Sequence, residues 1–456
     1  MNATNNEQLG TQPVPALMLR LAIPSVIAQL INVLYNIVDR MYIGHIPDIG
    51  HLALTGVGLT FPIIMLISAF SAFIGAGGAP LAAIALGKGD RKRAEKILGN
   101  GFTVLCFFSV LLTVFFLLCK RPLLMAFGAS ANTITYAVNY ITIYLIGTIF
   151  VQLALGLNMF ITSQGNARTA MLSVLIGAVI NIVLDPVFIF VLHMGVRGAA
   201  LATILSQACS AAWVIRFLTS DKSVIKIRRQ NLAPDFKIIQ SVMSIGISPF
   251  IMQATESAIN IVLNRGLQTY GGDLYVGSMT ILQSVMQLIV VPIQGFTQGI
   301  QPIISFNFGA RKFDRVRKTY RLTIFITFVT ASAACICTVF FPRLFAGIFT
   351  SDQELLQLAE TVMPVFMSGI WMFGIQMGCQ TTFMGLGQAK ISLFNALMRK
   401  VFLLIPLALI LPRFFGVMGI YYAEPIADST AAAVAGTLFL VLRNRIVSDE
   451  SLDRIG

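Results

Sequence analysis

Apolar stretches long enough to span a bilayer recur along the whole chain, separated by short polar breaks. They fall at approximately 17–43, 52–86, 97–119, 133–162, 169–192, 197–218, 238–267, 274–308, 319–341, 354–385, 391–412 and 416–442. Each is close to the roughly 20 residues that a membrane-spanning helix needs. Twelve such runs predict an all-α membrane protein. A transmembrane β-barrel would instead alternate in segments of about ten residues, which this pattern excludes.

The breaks repeat as well. Gly77, Pro80 and Gly87 return 222 residues on as Gly299, Pro302 and Gly309, and Gly165, Ala167 and Arg168 return as Gly387, Ala389 and Lys390. Gly195, Val196 and Gly198 are answered by Gly416, Val417 and Gly419, and the Asn36–Arg40 stretch by Ile261–Arg265. Six helices per half is an even number, so the two copies share one orientation and are related by a pseudo-two-fold axis along the membrane normal. The expected organisation is a solvated tail over 1–16, an N-lobe over 17–218, a Lys- and Arg-rich inter-lobe loop over 219–237, a C-lobe over 238–442 and a second tail over 443–456.

Of the 456 residues, 56% are hydrophobic and only 11% charged, which sets the chain apart from soluble domains, where about 25% are charged. A net charge of +13 would fit nucleic acid, but its distribution argues against that partner. Lys88, Arg91, Lys92, Arg93, Lys96, Arg228, Arg229, Arg311, Lys312, Arg315 and Arg317 fall on the side of the amino terminus, whereas the other face carries far fewer basic groups, among them Arg40, Arg197 and Arg343. This is the positive-inside asymmetry, and it predicts an inner (plasma) membrane protein with both termini cytoplasmic. No cleavable signal peptide is expected, because the first apolar run is long enough to remain as an anchor. The six Cys lie mostly in apolar runs without CxxC spacing and read as packing thiols. The three His lack metal-ligand spacing and no phosphate-cradling GxxxxGK[ST] motif occurs, which leaves an ion gradient as the energy source.

Polar residues inside the spans then carry the chemistry. Asp185 is the one charged residue in its run, where a carboxylate costs about 2.5–3.5 kcal/mol on insertion scales and usually faces a polar cavity and a partner. Asn181 is four residues earlier and shares its helix face. Pro186 cannot donate to the Ile182 carbonyl and loosens the next turn. This segment reads as half of an ion site. Asp39 in the first run either snorkels to the outer boundary or turns inward toward Asp185. Thr203 could serve an ion or bond its own backbone, and Asn158 could join helices. Glu256, Asn260 and Asn264 line one face of the seventh run, and Glu256 is a candidate substrate or proton site. Glu424 and Asp428, again four apart, could pair with Arg399 or Lys400.

The segments Leu34–His45, Ala85–Asp90, Asn181–Pro186, Gly195–Thr203 and Ala423–Asp428 together resemble the multidrug and toxic compound extrusion (MATE) transporters, in particular the DinF-like and MepA-like branch, over essentially all twelve helices. The resemblance implies a bilobed antiporter that exports amphipathic, mostly cationic compounds in exchange for H⁺ or Na⁺. It implies a coupling-ion site at Asp39, Asn181, Asp185 and Thr203, where Na⁺ could bind, supported by Asn158, Tyr140 and Asn36. In the NorM-like branch an acidic residue of the seventh helix, matched here by Glu256, works with an Asp of the tenth. No acidic residue past Glu360 occurs in the tenth run here, so Glu256 is expected to take cationic substrate or a proton.

Two carboxylates close together in a poorly hydrated lobe cannot both stay ionised without a cation or a shared proton. Ion entry should therefore neutralise the pair, let the first helix bend at Pro24, and release a bound lipophilic cation. The expected partners are small amphipathic cations and the lipid bilayer, with a monomeric assembly, no cofactor beyond the coupling ion, and no catalytic residues. The rival readings are a lipid-linked glycan or metabolite flippase of the same architecture, an intramembrane enzyme, and an ion channel.

Overall fold

The structure, a computed structural model, describes residues 3–453 apart from Ser351. Residues 1, 2 and 454–456 of the expected tails lie outside the described residues. The chain is all-helical over its membrane-crossing part: α1 Val14–Gly44, α2 Leu52–Gly87, α3 Arg91–Ala126, α4 made of Ile134–Ile146 and Thr148–Ser163, α5 Ala167–Val191, α6 Val196–Thr219, α7 Phe236–Tyr270, α8 Leu274–Gly309, α9 Phe313–Phe340, α10 made of Gln353–Met367 and Ile370–Gly385, α11 Ala389–Phe415 and α12 Met418–Ile446. Ten of these are long and apolar enough to cross a bilayer as single helices, and the two bent pairs bring the number to twelve.

The helices outrun the apolar stretches because polar residues cap them. Asp90 Oδ1 accepts from the Arg93 backbone N–H at 2.9 Å and starts α3 within the basic loop, and Asp235 does the same for Lys237 and Ile238 at the head of α7. The two bends fall at repeat-related glycines. A Cβ on Gly147 would meet Ile204 of α6 at 2.2 Å, and one on Gly369 would meet Pro425 of α12 at 2.6 Å, so each break lets α4 or α10 press against the last helix of its lobe. Those breaks turn the chain by 59° and 44°. Side chains facing away from the bundle, such as Phe107, Leu118, Leu440 and Val441, are apolar and exposed, as lipid contact requires.

The lobes meet where α2 packs against α7 and α8 and where α1 packs against α8. Bare backbone makes the approach close: a Cβ on Gly77 would stand 2.2 Å from the Val242 carbonyl oxygen, and one on Gly299 would stand 2.7 Å from that of Leu21. Every glycine-mediated approach between the lobes lies in the half of the helices nearer the basic loops, so the lobes are shut on that face. The last polar link in this seam is Gln29 to Gln298 at 2.8 Å.

The expected solvated amino-terminal tail is instead a helix over Ala3–Thr11 laid on the C-lobe. Leu9 is fully buried, and its carbonyl accepts from Asn307 Nδ2 at 2.8 Å and Arg315 Nη2 at 3.2 Å. Its polar sequence misled because its partners are side chains some three hundred residues away. The carboxyl-terminal segment also docks through a short helix, Asp449–Asp453, in which Leu452 is buried. The link between the lobes lies against the N-lobe. The Gln164 side-chain oxygen accepts from Ser223 Oγ, Val224 N and Ile225 N, and Arg228 pairs with Glu95 at 2.9 Å.

Candidate functional site

Inside the N-lobe, α1 packs against α5 and the first segment of α4 packs against α6. Asp39 turns inward from α1, with only 8% of its surface exposed, and meets the fully buried Asp185 of α5. The two carboxyl groups are close enough for one to hydrogen-bond the other once a proton sits on either. Asn181 Nδ2 donates to Asp185 Oδ1 at 3.3 Å and is fully buried itself. Beyond Pro186 the helix widens into a π-turn over Val187–Val191, a local departure common at functional positions.

Thr203 bonds its own backbone, donating to the Ala199 carbonyl at 3.0 Å, and its hydroxyl also stands beside that of Tyr140. The backbone-bonding reading of this residue is therefore what the structure shows. Tyr140 is buried and within electrostatic reach of Asp39, so it belongs to the cluster. Two further tyrosines join it that the sequence pattern did not single out for the site. Tyr35, one turn before Asp39, feels its charge, and Tyr144 stacks on Tyr140 with ring centroids 6.3 Å apart. Their spacing of four from Asp39 and Tyr140 was the available signal, but a tyrosine in an apolar run reads equally well as packing.

Three acceptors of the site are left without a donor. Asp39 Oδ1, Asp185 Oδ2 and Asn181 Oδ1 are buried without a hydrogen-bond partner. An acceptor left in that state costs about 1–3 kcal/mol, more when it is charged. Three such oxygens from α1 and α5 suit a small cation or a proton.

The other expected supports lie elsewhere. Asn158 donates to the Ala170 carbonyl at 3.3 Å and accepts from Ser173 Oγ at 3.0 Å, joining α4 to α5 about 18 Å along the helix from Asp185. Asn36 is exposed and bonds the Asn32 carbonyl at 2.6 Å, reaching the cluster only beside Tyr35.

The C-lobe holds a second buried set of charges. Arg399 Nε donates to Asp428 Oδ1 at 2.5 Å and Nη2 to Glu424 Oε1 at 2.8 Å, with the Phe373 ring 4.9 Å from the guanidinium. Glu256 pairs instead with Lys400, which also donates to the Met252 carbonyl at 2.8 Å. Arg399 and Lys400 lie in a π-turn over Met398–Leu404. Asn260 accepts from Gln283 at 2.8 Å and ties α7 to α8.

The sequence profile of the MatE family matches residues 24–187 and 249–410, one copy in each lobe. The chain belongs to the MatE family. This MatE chain is 27% identical over 439 residues to the multidrug export protein MepA of Staphylococcus haemolyticus, the match covering 95% of each protein. Among solved structures it is similar to the outward-facing conformation of a multidrug resistance MATE family transporter of the MOP superfamily, with 25% identity, a TM-score of 0.88 and 98% of both chains covered. It also superposes on a MATE in the bent conformation with a TM-score of 0.90 at 24% identity, over 99% of this chain and 98% of that one, which concerns the fold. The twelve-helix, two-lobe architecture expected from the repeat is the fold of this family.

Proposed function

We propose that this MatE chain is a multidrug exporter of the plasma membrane that exchanges amphipathic organic cations for H⁺ or Na⁺ by alternating access, with both termini in the cytoplasm. The observation that carries the reading is the set of three donor-less buried oxygens shared by Asp39, Asn181 and Asp185. Because α1 supplies Asp39 and also packs against α8 of the other lobe, occupancy of the site bears directly on the inter-lobe seam.

The proposed cycle follows from these contacts. With the basic face shut, an ion arriving from the opposite side neutralises the carboxylate pair. That favours a tighter N-lobe, with α1 free to bend where Pro24 removes a backbone hydrogen bond. Bound lipophilic cation then leaves. Reciprocity requires that drug weaken ion binding by the same factor as ion weakens drug binding. The relative's name as an exporter points away from catalysis. Against a flippase of anionic lipid-linked glycans stands the pairing of Arg399 and Lys400 with three carboxylates, which leaves no free basic lining there.

The test is ethidium efflux from everted vesicles, with Na⁺ and pH gradients imposed separately. One of the two should drive efflux. Efflux that neither gradient changes would contradict exchange.

A further inference from the structure

In the C-lobe, three acids face two bases, and the bases differ in how they are held. Arg399 is fixed by Glu424, Asp428 and the Phe373 ring, and all its polar partners are buried. Lys400, next in sequence, is also buried, yet its ammonium reaches Glu256, whose side chain is 52% exposed. Glu256 is thus the one acid of the set open to a ligand, and Lys400 already occupies it.

Behind its ammonium contact with Glu256, Lys400 also lines a small pocket that it shares with Arg399 and that Glu256 does not border. The pocket that Lys400 lines, between Met252, Phe373, Met377, Gln376 and Asn395, has room for only about 10 Å³, at most one water. Gln376 Oε1 and Asn395 Oδ1 are buried there, at 5% and 3% residue exposure, without a hydrogen-bond partner. Amide oxygens and adaptable methionines can line an organic cation, whereas the Phe373 ring is already taken by the Arg399 guanidinium. A lysine suits the part of a removable occupant: its charge sits on a flexible four-carbon stem, unlike the rigid guanidinium beside it. Glu424 lies near enough to feel both Lys400 and Glu256, so the displaced ammonium has another acid to turn to.

We propose that Lys400 is a built-in competitor for a binding site for monovalent organic cations on Glu256, so that substrate binds by taking Glu256 from the lysine and opening the pocket that the lysine lines. The proposal rests on the export reading above and adds the site and its regulation.

Equilibrium binding of ethidium to the purified full-length protein tests it. Lys400→Met should tighten binding roughly tenfold, the factor by which a site free about a tenth of the time weakens its ligand. Adding Glu256→Gln to Lys400→Met should remove that gain. Unchanged or weaker binding by Lys400→Met, or a gain that survives Glu256→Gln, overturns the proposal, as does no binding by either protein. Should Lys400→Met not purify folded, Glu256→Gln alone decides the matter, since unchanged affinity there is equally fatal. Equal affinities with vesicle efflux intact would sink this inference alone, whereas the expected affinities without gradient-driven efflux would sink the export reading alone.

Discussion

Gly87 of α2 and Gly309 of α8 stand back to back across the lobe interface: a Cβ on Gly87 would lie 2.1 Å from the Phe306 carbonyl oxygen, and a Cβ on Gly309 would lie 2.0 Å from that of Ile84. These four positions are related by the internal repeat, so the seam has one contact made twice. Backbone cannot yield as a flexible side chain can. Gly87→Val or Gly309→Val should therefore cost the shut arrangement about 1–3 kcal/mol through overpacking. Spin labels at the basic-face ends of α2 and α8 should report a longer distance in either variant; an unchanged distance distribution would contradict the assignment.

Among the described residues, Arg399 is the cation that forms salt bridges to both Glu424 and Asp428, and all three side chains are at most 8% exposed. Removing one member of a buried ion set leaves uncompensated charge and typically costs about 3–5 kcal/mol. Arg399→Met should lower the melting temperature of the detergent-solubilised protein strongly, and Glu424→Gln with Asp428→Asn in the same chain should restore much of it. A neutral Arg399→Met would show that the carboxylates find other compensation.

Asn158 was expected beside the coupling ion, whereas it ties α4 to α5 through Ala170 and Ser173. Interhelical bonds of this kind contribute about 0.6–2 kcal/mol. Asn158→Ala should lower thermal stability by that order and leave the cation dependence of efflux in place. A shift in the ion requirement would bring the residue back into the site.

Ending the chain after Ile446 removes the buried Leu452, the bond from Lys88 Nζ to its carbonyl at 3.2 Å, and the pairs of Arg311 with Asp449 and Asp453. The apolar part amounts to about 1.5–3 kcal/mol, and the exposed pairs add little. The truncated protein should melt lower, by an amount that salt barely changes. A strongly salt-dependent difference would mean that the charges hold this segment.

The charged residues inside apolar runs were legible because the bilayer makes each one costly: Asp185 announced a site, and its spacing of four from Asn181 gave their common face. Whether Asp39 snorkelled or turned inward was not legible, since that depends on how α1 rotates against α5. The choice between Arg399 and Lys400 as partner of Glu424 and Asp428 was open for a similar reason: consecutive residues on a π-turn point in directions that a regular helix does not predict. Tyr35 and Tyr144 stayed hidden because an aromatic side chain serves packing and polar contact alike. The glycines of the seam showed as a repeat, but their role required the partner lobe.

Most direct is a measurement of cation-dependent efflux in proteoliposomes carrying Asp39→Asn or Asp185→Asn, alongside the unaltered chain, under the gradient that drives it. Each variant removes one of the two carboxylates proposed to share a cation, so each should lose the gradient-driven component of ethidium transport, by about tenfold or more, while remaining folded. Full gradient dependence in either variant would contradict the shared site on which the account rests.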